Sequence, residues 1–183
     1  MRITSILATG AAAAASVVLV TGPALAQSIT GTNGDDHLIG TPVRDVIHGK
    51  AGHDVLGGRG GPDALFGQAG DDQLRGGTGR DLLDGGWGAD QLIGGPQADF
   101  FHGGPGDDVV RAGTGNDQLE TIRGEDQIFM GPGNDSQSFL DVDGKRAVID
   151  CGKGHDVVNY LGPIDSDDVI RTNCEDVNAN TSD

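Results

Sequence analysis

Apolar and acidic residues recur along most of this chain with a period of nine. An apolar side chain stands at every ninth position from Leu38 to Ile128, and an aspartate stands two residues before each one. A twelfth aspartate, Asp135, keeps the period but is followed by Gln137. A fixed period predicts a stack of like units, not a conventional globular core. The twelve aspartates are Asp36, Asp45, Asp54, Asp63, Asp72, Asp81, Asp90, Asp99, Asp108, Asp117, Asp126 and Asp135.

Each period divides into a turn and a strand. Glycine precedes the aspartate by two positions in ten of the twelve repeats and by five positions in nine. These glycines predict a turn of six residues, and the remaining three residues predict a short strand whose central apolar side chain points inward. Two units then form an 18-residue coil, and every second repeat stacks as a parallel neighbour about 4.8 Å away.

Composition shows that apolar burial alone does not hold such a stack. The chain has 33 glycines in 183 residues and only 4% aromatic residues, so ordering the backbone is costly and the apolar core is thin. Stacking also brings like-charged aspartates close together unless a cation lies between them. Calcium takes roughly six to eight oxygen ligands in irregular geometry, whereas magnesium prefers a tighter octahedron and zinc prefers nitrogen or sulfur. The pattern therefore favours calcium.

The best copies of the repeat are GGTGRDLLD and GGWGADQLI, at residues 76–84 and 85–93. They resemble the GGxGxDxUx nonapeptide of the RTX (haemolysin-type) calcium-binding proteins, where U is a large apolar residue. The resemblance implies an all-β, right-handed parallel β-roll over residues 27–135. It also implies that the twelve aspartate side chains and the turn carbonyls bind Ca²⁺ between successive coils. Two rows of six stacked aspartates leave ten gaps between coils, so the roll holds at most about ten ions.

An 18-residue period separates the aspartates into two edges of the roll. The first edge runs from Asp36 to Asp126 and keeps every glycine two positions before its aspartate. The second edge runs from Asp45 to Asp135 and has Val43 and Gln97 in place of two of these glycines. Extra acids also precede aspartates of the first edge, so we expect tighter calcium sites there.

Residues 1–26 have the features of a secretory signal peptide. Arg2 precedes an apolar run over residues 6–20, and Ala24-Leu25-Ala26 resembles a cleavage site. A membrane anchor is the weaker alternative because the run is short and interrupted. We therefore expect a secreted, extracellular protein. Its net charge of −16 argues against nucleic acid as a partner and against membrane binding or insertion.

The nine-residue register ends at Ser136, and residues 136–178 contain short strand candidates that suit a C-terminal β cap. Cys151 and Cys174 are the only cysteines, and in an exported protein we expect them to form a disulfide. A redox or metal pair normally has shorter spacing. The segment CGKGHDVV followed by NCEDV resembles the terminal segment of secreted actinobacterial calcium-binding repeat proteins. Residues 179–183 are predicted to be a disordered tail.

Nothing in the sequence indicates catalysis, since neither HExxH nor GxSxG occurs. Two functions remain open. One is a secreted calcium-binding protein that folds when calcium binds. The other is an extracellular or matrix adhesin that uses the calcium-stabilised roll as a binding platform. Phe66, Leu82 and Phe100 point outward on adjacent coils, so they are either a surface for a partner or self-association or scattered surface apolar residues.

Overall fold

The protein is an all-β parallel solenoid in a computed structural model that describes residues 5–7, 16–19, 25–139, 145–160 and 168–179. Successive strands alternate between two sheets, so odd-numbered strands form one sheet and even-numbered strands form the other. The odd-numbered sheet contains β1 (Ser5–Leu7), β3 (Ser28–Thr30), β5 (Val46–Ala51), β7 (Ala64–Ala69), β9 (Leu82–Trp87), β11 (Phe100–Pro105), β13 (Gln118–Arg123), β15 (Ser136–Phe139), β17 (Val157–Tyr160) and β19 (Asp176–Ala179). The even-numbered sheet contains β2 (Ser16–Leu19), β4 (Asp36–Ile39), β6 (Val55–Gly60), β8 (Gln73–Thr78), β10 (Gln91–Pro96), β12 (Val109–Thr114), β14 (Gln127–Phe129), β16 (Val148–Asp150) and β18 (Val169–Ile170).

The strand register confirms the predicted 18-residue coil. Leu56 pairs with Leu74, and Leu65 pairs with Leu83, in parallel ladders that join each strand to the second strand after it. This arrangement is the β-roll that the nine-residue period predicts. The described residues form strands and turns, and none of them lies in a helix.

The core is a line of apolar side chains between the two sheets. Each predicted inward residue from Leu38 to Ile128 is at most 2% exposed, and Ile29, Ile149 and Val158 extend the line at its two ends. Burying a side chain of this size stabilises a fold by about 1.5–3 kcal/mol. A one-residue change of register would turn this line outward, which is why the spacing is so regular.

The strands are longer than the sequence pattern predicts. In the middle of the roll they span six residues instead of three, and the intervening turns are correspondingly short. The parallel ladder continues through the positions assigned to the turn, where Lys50 pairs with Gln68 and Ala51 pairs with Ala69. The prediction was wrong here because the backbone groups of these residues also need hydrogen-bond partners, and the equivalent residues of the next coil supply them.

The C-terminal strands continue the two sheets after the nine-residue register ends. Gln127 of β14 pairs with Val148 of β16, which makes this coil 21 residues long instead of 18. Cys151 and Cys174 form a disulfide with 5.2 Å between their Cα atoms. That residues 136–178 serve as a cap stays a prediction.

At the other end, β1 and β2 pair in parallel with β3 and β4. The other residues before Leu25, and residues 180–183 of the predicted tail, lie outside the described residues. The signal peptide and the tail therefore stay predictions. In the described part of the chain, no helix is long and apolar enough to cross a membrane.

Candidate metal centre

The roll stacks all twelve predicted aspartates along its two edges, and each is at most 3% exposed. Within each edge, one carboxylate oxygen of every aspartate after the first accepts a hydrogen bond from the backbone N–H of the aspartate 18 residues earlier. Asp54 Oδ1 accepts from the Asp36 amide at 2.7 Å, and Asp72 Oδ1 accepts from the Asp54 amide at 2.7 Å. The same contact recurs from Asp45 to Asp135 on the second edge. We term each of these stacks an aspartate ladder.

The other carboxylate oxygen has no hydrogen-bond donor in most of these turns. Buried and unpartnered Oδ2 atoms belong to Asp54, Asp63, Asp72, Asp81, Asp90, Asp99, Asp108, Asp117 and Asp135. A buried oxygen without a donor is costly, and more so when it carries negative charge. A cation beside these atoms would remove that cost.

The unpartnered oxygen lies against a turn glycine, and the same glycine lies close to a carbonyl oxygen of the next coil. A Cβ atom added to Gly49 would overlap Asp54 Oδ2, and it would lie 2.9 Å from the carbonyl oxygen of Gly67. A Cβ atom added to Gly85 would likewise overlap Asp90 Oδ2, and it would lie 2.8 Å from the carbonyl oxygen of Gly103. A carboxylate oxygen and a carbonyl oxygen therefore both lie beside a glycine that has no space for a side chain, and a set of oxygen ligands suits calcium.

These repeats match a known family. Residues 30–65, 66–101 and 102–136 each match the RTX calcium-binding nonapeptide repeat (4 copies). The chain belongs to the RTX calcium-binding repeat family. No curated protein matches this RTX chain.

Burial places a high electrostatic cost on the stacked carboxylates of the RTX roll. Burial, followed by the charges of Asp126 and Asp90, raises the pKa of Asp108 to about 8, although the hydrogen bond from the Asp90 amide opposes the rise. Burial likewise raises the pKa values of Asp63 and Asp99 to about 7, and neighbouring ladder aspartates add to both shifts. A bound cation would favour the ionised carboxylates that burial disfavours.

The two edges resemble each other more than the sequence indicates. The extra acids of the first edge use an oxygen to bind the backbone of the next coil. Asp71 accepts from the Ala89 amide at 2.9 Å, and Asp107 accepts from the Glu125 amide at 3.0 Å. On the second edge Asn116 makes the same contact with the Asn134 amide at 3.0 Å. The expected difference in calcium affinity between the edges stays a prediction.

The first turn of each edge has a different environment. The Thr32 hydroxyl donates to Asp36 Oδ2 at 3.0 Å, and the Thr41 hydroxyl donates to Asp45 Oδ2 at 3.0 Å. Both threonines occupy positions where the family pattern has its second glycine. A protein donor therefore reaches the Oδ2 atom in these two turns.

The second ladder continues beyond Asp135 through residues that the nine-residue count misses. Asp156 is 1% exposed and accepts from the Asp135 amide at 2.8 Å, and Glu175 accepts from the Asp156 amide at 2.9 Å. The segment GKGHD, which has the turn spacing of the repeat, was the available signal for Asp156. The changed coil length hid its place in the ladder.

Some turns at the C-terminal end of the second edge replace glycine with an inward side chain. Ala112, Met130 and Cys151 each stand five residues before a ladder aspartate and are at most 1% exposed within the apolar core. In the turns of the second edge from Ala112 onward, an apolar side chain thus packs into the core at the position where earlier turns have glycine.

Proposed function

We propose that this RTX protein is a secreted calcium-binding protein whose roll folds when calcium binds between its coils. The observation that carries the proposal is the row of buried, unpartnered Oδ2 atoms beside turn glycines that also lie close to carbonyl oxygens of the next coil. Calcium would supply positive charge between stacked carboxylates, which otherwise repel one another in a region of low dielectric constant. We infer no catalytic role.

The strongest candidate sites are turns that combine an unpartnered aspartate oxygen with the first glycine of the repeat. In the described part of the chain, no three His, Cys, Asp or Glu side chains converge on one point. The supported ligand set therefore combines carboxylates with backbone carbonyl oxygens. All twelve ladder aspartates remain proposed ligands, and the best-supported ones are Asp54, Asp63, Asp72, Asp81, Asp90, Asp99 and Asp108.

Export to the cell exterior is part of the proposal. The disulfide between Cys151 and Cys174 is typical of proteins that fold in an oxidising compartment, and residues 1–26 have the features of a signal peptide. Extracellular calcium modules bind their ion with dissociation constants of roughly 10⁻⁴–10⁻³ M. We expect affinities in that range.

A calcium titration followed by circular dichroism tests the folding step. The chain without residues 1–26 is prepared at low micromolar concentration in calcium-free buffer, and Ca²⁺ or Mg²⁺ is added. We expect β-structure to appear with millimolar calcium and not with equal magnesium. Equal β-content in calcium-free buffer and in millimolar calcium would refute calcium-dependent folding. Native mass spectrometry then counts the bound calcium ions. If β-content does not change, this count distinguishes a roll that is already folded and binds calcium from a roll that does not bind calcium.

The alternative function is an extracellular or matrix adhesin. It is favoured by an apolar row on the outer face of the odd-numbered sheet, where Ala64, Leu82 and Phe100 are aligned on adjacent strands. Beside them, the rings of His48 and Phe66 stack with centroids 4.8 Å apart. Sedimentation at high protein concentration tests self-association, and glycan or cell-surface binding with and without calcium tests adhesion. A monomer that binds none of these surfaces would argue against the alternative.

A further inference from the structure

Five neighbouring strands of the even-numbered sheet have a charge pattern opposite to that of the whole chain. The chain has 28 acidic and 12 basic residues, yet β6, β8, β10, β12 and β14 contain no acidic residue. They contain three arginines, namely Arg59, Arg75 and Arg111. These five strands therefore carry arginines without a carboxylate, and the next acid on the same face is Asp150 of β16, in register with Phe129.

A groove of about 670 Å³ opens on this face across β4, β6, β8 and β10. Gly57, Gly77 and Gly95 line it and contribute only backbone there. Ile39 and Ile93 lie on strands either side of this region, and both are partly exposed. The groove therefore offers apolar walls with room between them, and its volume lies in the range of small-molecule sites, roughly 300–1,000 Å³.

Two arginines line the same groove with space around their side chains. Arg75 is registered with Gly57, and Arg59 is registered with Gly77, so each faces a glycine on the neighbouring strand. Both are exposed, and neither belongs to an ion pair in the described part of the chain. Arginine binds carboxylates through two parallel N–H groups, which gives directional recognition of an anion.

We propose that this groove binds a small organic anion with an apolar body, of the aryl carboxylate class. The carboxylate pairs with Arg75 and Arg59, and the ring packs against Ile39 beside Gly57, on the side of Arg75 away from Ile93. Charge complementarity selects an anion, and the apolar walls select against a simple inorganic one. This site lies on the outer face of the sheet, and it adjoins the second aspartate ladder at Gly94, where an added Cβ atom would overlap Asp99 Oδ2.

Binding of 1-naphthoate to the calcium-loaded protein tests the proposal, with 1-naphthamide as the neutral probe and acetate as the anion without a ring. Amide chemical shifts in NMR spectra report the position of binding, and we expect changes in β4, β6, β8 and β10 only with naphthoate. The Arg75→Gln variant should weaken binding by about tenfold or more, because a hydrogen bond to a charged group is lost. The matched control is Arg111→Gln, on the same face beyond the groove, where the guanidinium lies 5.4 Å from the Phe129 ring centroid.

A second pair of variants tests the shape of the groove while keeping both arginines. Gly57→Leu fills the space, and Ile39→Asn removes an apolar wall; circular dichroism in calcium verifies that each variant is folded. Both should lose naphthoate binding. The proposal is overturned by the absence of binding at millimolar naphthoate or by equal binding of naphthamide. It is also overturned if Arg111→Gln weakens binding as much as Arg75→Gln, which would show that binding depends on the general charge of the face and not on the groove.

Discussion

At the scale of single residues, the two oxygens of a ladder carboxylate have different environments. Asp90 Oδ1 accepts a hydrogen bond from the Asp72 amide at 2.8 Å, whereas Asp90 Oδ2 is buried without a donor. An Asp90→Asn change keeps an acceptor for the amide and removes the charge. We therefore predict that the variant loses at least one bound calcium ion, as counted by native mass spectrometry. Asp84→Asn, at an outward position between the turns, is the control and should keep the full count.

The raised pKa values make a second residue-scale prediction, about pH. Burial raises the pKa values of Asp72 and Asp135 to about 7 and that of Asp108 to about 8, whereas an aspartate in the unfolded chain titrates near 3.9. The folded, calcium-free chain thus holds more protons, and its stability is fully present below about pH 4 and is lost as pH rises through about 7 to 8. Circular dichroism in calcium-free buffer should therefore show more β-structure at pH 5 than at pH 8.5.

The proposed binding of calcium to the ionised carboxylates would reverse this pH dependence, because calcium displaces their protons. Calcium affinity should therefore rise from pH 5 to pH 8.5, and protons should be released on binding in weakly buffered solution at pH 6. A calcium affinity that does not change over this range would contradict the assignment of the buried aspartates as ligands.

Lys50 provides a residue-scale prediction about backbone strain. Its φ is 96°, which is a left-handed value. Later repeats have glycine at the equivalent position, such as Gly86, whose φ is 105°. A left-handed conformation costs most residues other than glycine roughly 1–2 kcal/mol. Replacing the residue with glycine removes this cost, but the greater conformational freedom of glycine in the unfolded chain offsets part of the stability gained. Lys50→Gly should raise the midpoint of thermal unfolding in calcium by about 2–4 °C. The neighbouring Ala51→Gly lacks the strained φ and should lower it.

At the scale of the turn, glycine is required where one coil approaches the next. Gly88 has φ 130°, and a Cβ atom there would overlap the carbonyl oxygen of Gly70 in the preceding coil. The Gly88 amide also donates to the Pro105 carbonyl of the following coil at 3.1 Å. Gly88→Ala should therefore separate the coils, and we predict a loss of about 2 kcal/mol or more, seen as a higher calcium concentration at the folding midpoint.

Gly34 is the matched control because it occupies the same position in the first repeat of the same edge. A Cβ atom there meets nothing closer than the Thr32 hydroxyl oxygen at 4.0 Å. Gly34→Ala should leave the midpoint nearly unchanged. Equal effects of the two substitutions would show that neither the contact between coils nor the positive φ of Gly88 is responsible.

The sequence predicts elements best where each repeat carries its own signal. The period of nine gave the inward residues, the two-sheet coil and the aspartate ladders, because these depend only on spacing. The length of the strands depends on hydrogen bonds between coils, so the pairing of Lys50 with Gln68 was not visible in a single repeat. Asp156 was missed because a 21-residue step replaces the 18-residue one there. The sequence shows that Ala112 and Met130 replace glycine, but it does not show that their side chains lie in the core together with Cys151.

At the scale of the whole molecule, the solenoid is nearly one-dimensional, since each coil contacts mainly the coils before and after it. Stability in such an array is approximately a sum of local terms and interfaces between neighbours. Damage at one end should therefore spread only a short distance. The disulfide from Cys151 to Cys174 spans β16 to β19 and is far along the chain from the unpartnered aspartates of the central coils.

Replacing both cysteines, as in Cys151→Ala with Cys174→Ala, tests this locality. A disulfide that closes a loop of this size stabilises a fold by roughly 3 kcal/mol, so amide hydrogen exchange in calcium should become much faster in β16 to β19. Exchange in β5 to β11, and the calcium ions of those coils, should stay as they are. Wild-type protein treated with a reductant is the control and should behave in the same way. Faster exchange along the whole roll would instead show that the C-terminal coils hold the entire array together, and it would assign residues 136–178 a global role in stability.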